Sequence, residues 1–304
     1  MLQLEKILKN ERLMHALTGL GAQEFTSLLP DFEKQLMKSR EDRYARDPKR
    51  ERKPGGGRKG CTKTPAEKLF FILFYYKCYP TYDLASFLYG VNRSSCCKKQ
   101  QFLSGILEAT LGKKRVLPKR QLRNIKEFFD AFPEAREVFI DGTERPIQRP
   151  KDKERQRENY SGKKKRHTRK NLIISTHKKR IGFLSKTIAG KEHDFSILKA
   201  QAPPDHMPPE VKKHMDLGFK GFDVQYPGHC LSMPQRKPRT HDLTDAQKER
   251  NKKKSGVRVL VEHAISGIKR LRIVTDVFRN KKKNFDDQAM LISCGLWNYH
   301  LAMS

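Results

Sequence analysis

Three carboxylates raise the question of chemistry in this chain of 304 residues. Asp141 follows the apolar run Val138-Phe139-Ile140 in EVFIDGTERPIQRP, residues 137–150. On that stretch alone, Asp-Gly after a strand-like run reads first as a tight turn. Asp216, in MDLGF, closes a second strand-like run 75 residues later (216 − 141). Glu262 lies 46 residues further on (262 − 216), in SGVRVLVEHAISGIKRLRIV, residues 255–274. Acids gathered from separate elements repel one another unless cations join them, and hard carboxylate oxygens suit Mg2+ or Mn2+. Two such ions about 4 Å apart support phosphodiester cleavage and transfer. Taken together, the three acids favour a metal-holding role for Asp141 over a turn.

The elements that must position these acids are legible in outline. Segments 137–147, 171–178 and 180–190 read as strands, with shorter ones at 214–219 and 230–237. Segment 117–135 reads as a helix ending before Pro133, and 193–201 as another. A long helical run begins near residue 244. This alternation predicts an α/β domain with a mixed sheet flanked by helices. In the long helix, Val257, Leu260, Val261, Ala264, Ile265, Ile268 and Leu271 form one apolar stripe at three- and four-residue steps. At about 100° per residue, Arg258, Glu262 and Lys269 fall within about 40° of one another, beside that stripe. Their rim position would let the cations orient the carboxylate or touch phosphate. An exposed Arg258–Glu262 pair four residues apart is the ordinary alternative. Asp194, in GKEHDFSIL, reads as a cap for the helix that follows it.

The first third of the chain has a different texture. Residues 1–45 predict helices, with Thr18 as a cap candidate and Phe25, Leu28, Leu29, Phe32 and Leu36 at helical intervals. Segment 46–60, RDPKRERKPGGGRKG, is a basic, glycine-rich linker that could also lie along DNA. Thr64-Pro65 opens a core helix over Leu69–Tyr76, and Pro80 breaks it. TYDLASFLYG predicts a short helix with Leu84, Phe87 and Leu88 inward, closed by Gly90. Asn92 or Ser94 then caps a helix carrying Arg93, Lys98, Lys99 and Gln100 near its start. This is the helix-turn-helix pattern, whose last helix enters the major groove; an ordinary three-helix bundle is the plainer alternative.

Charge points to the partner. The chain holds 65 Lys+Arg against 34 Asp+Glu, a formal net charge of +31. Such an excess repels itself unless a polyanion is near, so nucleic acid is the expected partner. No apolar stretch approaches the roughly 18 residues of a membrane span, so no membrane partner is expected. The densest charge lies in 151–180, with 13 Lys/Arg against three Asp/Glu. There Tyr160, Lys163, Lys164, Lys165, Arg166 and His167 are the candidates for phosphate contacts, which position DNA rather than read it. The basic loop 235–254 is a further candidate for gripping DNA. The six cysteines, Cys61, Cys78, Cys96, Cys97, Cys230 and Cys294, lack zinc-site spacing and read as thiols of a reducing compartment. Trp297 and Tyr299 read as core.

The run DGTERPIQRP…NYSGKKKRHTRKNLIIS, together with Arg258, three residues, Glu262, six residues and Lys269, resembles the DDE transposases of bacterial insertion sequences. Within them the chain is most similar to the insertion-sequence-five group, related to the Harbinger transposases. That family has its first Asp in DGT, its second in D-x-G-[FY] and its Glu in the helical signature, matching Asp141, Asp216 and Glu262. The likeness spans roughly residues 60–300, and His193-Asp194 in GKEHDFSIL also echoes the family, beside the cap reading of Asp194. Where the family often has Tyr, three residues before the Arg, this chain has Ser255.

The resemblance implies a ribonuclease H-like catalytic domain over 116–304, a helix-turn-helix domain with its basic linker over 53–115, and an N-terminal helical region over 1–52. It implies an enzyme that binds terminal inverted repeats and, with two Mg2+ ions (or Mn2+) held by Asp141, Asp216 and Glu262, cuts DNA and joins it to a target. It further implies double-stranded DNA as partner, a homodimer or larger assembly, and a bacterial, cytoplasmic, nucleoid-associated location. A transposase-derived DNA-binding protein without catalysis is the alternative, and the intact acidic triad argues against it.

Overall fold

The computed structural model describes residues 4–46, 60–238, 240 and 242–304. Most of the linker 46–60, and the boundary at residue 52, therefore lie outside the described residues. The chain divides into two compact units: residues 1–117, 270–276 and 289–304 in one, residues 118–269 and 277–288 in the other.

In the first unit, α1 (Leu4–Leu8), α2 (Glu11–Thr18) and α3 (Ala22–Ala45) precede α4 (Pro65–Cys78), α5 (Tyr82–Tyr89) and α6 (Arg93–Lys113). Thr18 ends α2 rather than opening a helix, and its hydroxyl donates to the Met14 carbonyl at 2.7 Å. The start of α4 is a capping box: Thr64 accepts from the Glu67 amide while Glu67 accepts from the Thr64 amide. α4 is apolar around its whole circumference and is buried from Leu69 to Tyr76, as a central helix must be. Gly90 closes α5 in the left-handed conformation, and Asn92 is the residue preceding α6.

The inward face of α5 differs from expectation. Ala85 and Tyr89 are buried, whereas Leu84 is half-exposed and Phe87 is 83% exposed. With Leu84, Ala85, Phe87, Leu88 and Tyr89 in eight residues, apolarity alone does not select a face, and the ring contact of Tyr89 with Phe71 (4.9 Å) fixes it instead.

The second unit is a mixed sheet with helices. α7 (Ile125–Ala131) leads into β1 (Glu137–Pro146); α8 (Lys153–Asn159), β2 (Tyr160–Ser161) and β3 (Arg166–Thr176) follow. Next come β4 (Ile181–Leu184), β5 (Ile188–Ala189), α9 (Asp194–Gln201), β6 (Lys212–His214), α10 (Phe222–Gln225), β7 (Leu231–Ser232) and α11 (Asp245–Lys269). Finally α12 (Phe285–Met303) begins in this unit and ends in the first. The strand order is β2-β3-β1-β6-β7, with β4 and β5 also on β3. β1 runs antiparallel to β3 and parallel to β6.

Four expectations shift here. The segment 117–135 is helical only from Ile125, because the Lys119 backbone is spent bridging β4, donating to Gly182 and accepting from Leu184. The strand 180–190 breaks in two where Ser185 and Thr187 turn to satisfy the Leu172 amide and Asp287. The expected strand 214–219 lies instead upstream as β6, with Asp216 two residues past it and Leu217–Phe219 in a 3-10 turn, while 230–237 shrinks to β7. Residues 245–254 of the expected loop are helical, as the first turns of α11.

One face of the sheet packs Val138, Ile140, Leu172 and Ile174 against Phe128 of α7, Phe132 just past its end, and Phe195 and Leu198 of α9. Side chains alternate between faces, so Phe139 and Asp141 point the other way. α11 lies against β1 and β3, burying Val261, Ala264, Ile265 and Ile268. Val257 is exposed, so the expected stripe is seated only from Val261 onward. No described helix is long and apolar enough to cross a membrane.

Candidate active site

β1 brings Asp141 to the α11 face of the sheet, with 15% of its side chain accessible. It sits there beside Asp216, whose carboxylate accepts from the Gly218 amide two residues on at 2.8 Å. Burial, and then the charge of Asp216, push the Asp141 carboxyl up to about 6. Arg258 and the Gly142 amide offset part of this, and Asp194 adds to it. A carboxylate so placed is held in its charged form against its surroundings.

Arg258 on α11 bridges two of the predicted acids. Its Nη1 stands 3.3 Å from Asp141 Oδ2, and its Nη2 donates to Glu262 Oε1 at 2.6 Å. The expected four-residue pair thus exists, but it is half of a bridge to the sheet. Glu262 is half-exposed and turned into that guanidinium. Among the described residues, no three His, Cys, Asp or Glu side chains gather closely enough to hold a metal ion. Asp141 and Asp216 are therefore the pair that could hold one, with Glu262 occupied by Arg258.

Lys269 lies on the same side. Its ammonium pKa is lowered by the protein around it and by Lys164 and Arg166, against the opposing pull of Asp141 and Glu144. The tip of the β2–β3 hairpin therefore lies within electrostatic reach of the acids. Lys163, Lys164, Lys165 and Arg166 are exposed there, and Tyr160 meets His167 edge-on at 5.8 Å. A row of exposed cations beside half-buried carboxylates can seat a phosphate backbone next to hard oxygens.

Not every expected DNA contact is available. Arg93 and Lys98 are exposed on the first turns of α6. Gln100 is fully buried, donating to Ser104 (2.8 Å) and accepting from Tyr82 (2.9 Å). Lys99 Nζ is drawn down onto Thr62 Oγ1 (2.9 Å) and Cys61 Sγ (2.8 Å). These two residues brace the bundle; polar residues at helical spacing near a helix start gave no sign of that.

A second polar cluster was missed in the sequence. Lys170, opposite Glu144 in the β1–β3 register, is buried and approaches Glu144 (3.7 Å) and Asp194 (3.2 Å) while donating to the Glu192 carbonyl. Thr168 donates to Glu144 at 2.8 Å. Asp194 makes none of the cap hydrogen bonds expected of it: His193 is the residue preceding α9, and it too caps nothing with its side chain. Thr168 and Lys170 lie in the basic run that opens β3, residues 166–171, where nothing in the pattern sets them apart.

Comparison with known families agrees with this geometry. Residues 140–298 match the family described as DDE superfamily endonuclease, and residues 64–112 match the helix-turn-helix of DDE superfamily endonuclease. The chain is 28% identical over 263 residues to a Microchaete diplosiphon protein described as "Probable transposase for insertion sequence element IS702", covering 84% of this chain and 87% of that one. No solved structure matches. With acids on β1, after β6 and on α11 all inside the matched span, the chain belongs to the DDE superfamily endonucleases.

Proposed function

We propose that this protein is an insertion-sequence transposase that binds the terminal inverted repeats of its element and cuts and joins DNA at their ends. The observation that carries the reading is Asp141: a largely buried carboxylate in the middle of β1, which runs on past it to Pro146, set beside Asp216 and bridged by Arg258 to Glu262. Its placement within the insertion-sequence-five group, its kinship to Harbinger transposases and its ribonuclease H-like sheet rest on the DGT, D-x-G-F and Arg-Glu-Lys residues. Functionally, we divide the chain into 1–52, a helix-turn-helix region with its linker over 53–115, and a catalytic region over 116–304.

The donor set fits divalent cations. Asp141 and Asp216 offer hard oxygens, and their mutual repulsion at a buried site is what a cation relieves. When bound, two Mg2+ ions, or Mn2+, supply the Lewis acidity for phosphodiester cleavage and transfer. Asp141 and Asp216 would hold them, and Glu262 would join once Arg258 releases it. Arg258, freed in that exchange, and Lys269 lie where they can balance phosphate charge. Lys163, Lys164, Lys165 and Arg166 hold the backbone of the transposon end, with Tyr160 and His167 flanking them. Arg93 and Lys98 present α6 to the major groove. Two ends processed together call for a homodimer or larger assembly.

The test uses a labelled duplex carrying the inverted repeats that flank the gene, with Mg2+ or Mn2+. Nicking at the repeat boundary by the wild type, and its loss in Glu262→Gln, is the expected result. Binding without cleavage by the wild type in either ion would favour a DNA-binding protein that has lost catalysis.

A further inference from the structure

Between the loops that carry Asp141 and Asp216 stands a third carboxylate. A methyl carbon built on Gly142 would lie 2.5 Å from Asp194 Oδ1, and one built on Gly218 would lie 3.3 Å from Asp194 Oδ2. Gly142 follows Asp141, and Gly218 supplies the amide that Asp216 accepts. A single side chain therefore stands between the two backbones: a side chain at position 142 would collide with it, and one at position 218 would press on it, meeting Asp216 Oδ1 first at 2.8 Å.

The direction of approach matters. Asp141 faces α11, so Gly142 faces α9, from whose first residue Asp194 reaches in. Asp194 thus meets the strand from behind the acid. It is itself anchored: Phe195, Ile197 and Leu198 seat α9 in the core, and Lys170, tied to Glu144 and the Glu192 carbonyl, stands 3.2 Å from Oδ1. That approach lacks hydrogen-bond alignment, and the buried Oδ1 receives no hydrogen bond. An unsatisfied buried oxygen is an unfavourable way to fill space unless the place it holds has a use.

We infer that Asp194 is a positioning residue: a wedge, locked by Lys170, that sets the separation of the Asp141 and Asp216 backbones and so the span of the cation site between them. This rests on the reading of Asp141 and Asp216 as the cation-holding pair. It assigns Asp194 no contact with substrate. Shortening the side chain lets the two loops drift, whereas an amide of the same size keeps them apart.

The experiment follows the thermal unfolding of the full-length, DNA-free protein through an Mn2+ titration, since a ligand that binds the folded state raises the midpoint by mass action. For Asp194→Ala, the Mn2+ concentration giving half of the stabilisation should rise about tenfold or more, while metal-free unfolding stays cooperative. Asp194→Asn should return it to within about threefold of the wild type. Gly142→Ala, which pushes against the wedge from the other side, should raise it as Asp194→Ala does, and it decides the matter if Asp194→Ala does not fold. An unchanged Mn2+ requirement in Asp194→Ala or Gly142→Ala overturns the inference, and so does an Asp194→Asn variant as poor as Asp194→Ala. Asp141→Asn separates the two readings. Full Mn2+ stabilisation in that variant refutes the cation-site assignment itself, whereas its loss leaves the outcome to Asp194 and Gly142.

Discussion

The two units bury polar groups in opposite ways. In the helical unit, Tyr82 donates to Gln100, and Gln100 and Tyr76 both donate to Ser104, a network of neutral groups. In the sheet unit, ionisable groups meet instead: Lys170 reaches Glu144 and Asp194, Asp141 is pushed up to about 6, and one Asp194 oxygen receives no hydrogen bond. A satisfied neutral network specifies packing. Charge left unbalanced inside a fold is tolerated where something else is to be bound, and it marks the unit that does chemistry.

Stability should respond to mutation with opposite signs in the two units. Phe71 on α4 is 1% exposed and packs edge-on against Tyr89. Phe71→Ala should lower unfolding stability by about 3–5 kcal/mol, read from denaturant melts. A loss below about 1 kcal/mol would mean that the helical core is not organised as described.

Asp141→Asn should instead stabilise the metal-free protein. The folded carboxyl titrates near 6 against the ordinary 3.8. The folded state therefore binds more protons between those values, and the wild type loses stability as pH rises through that window, then levels off. Raising the carboxyl from 3.8 to about 6 corresponds to something on the order of 3 kcal/mol. Melts from pH 4 to pH 7 without metal should show that slope in the wild type and its absence in the variant. Equal slopes would remove the buried-charge account of Asp141.

The smallest effects per residue belong to the hairpin. Replacing Lys163, Lys164 and Lys165 by Gln should weaken end binding and reduce the slope of log affinity against log salt by roughly 2–3. An unchanged slope would move the DNA surface elsewhere.

What the sequence disclosed follows from the range of the forces involved. Thr64-Pro65 and Gly90 mark helix ends through contacts within a few residues, and Asn92 precedes α6 although its side chain makes no cap hydrogen bond, so α4, α5 and α6 were legible in place. The inward face of α5 and the burial of Gln100 were not, because both depend on neighbours from other helices. Asp141 and Asp216 stood out by ending strand-like runs and by their resemblance to a known family. Asp194 did not: an acid opening a helix is usually a cap, and only the register of β1 and β3 with α9 behind them shows that it braces Gly142. Lys170 was hidden likewise, as one more lysine in a basic run.

The central claim is that Asp141 is there for chemistry and not for the fold or for DNA recognition. The most direct measurement is single-turnover cleavage of a repeat-ended duplex in Mg2+ by Asp141→Asn, with end binding by gel shift on the same samples. Cleavage should fall by about a thousandfold or more, equivalent to some 4 kcal/mol of barrier, with binding within about twofold of the wild type. Cleavage at the wild-type rate by this variant would contradict it.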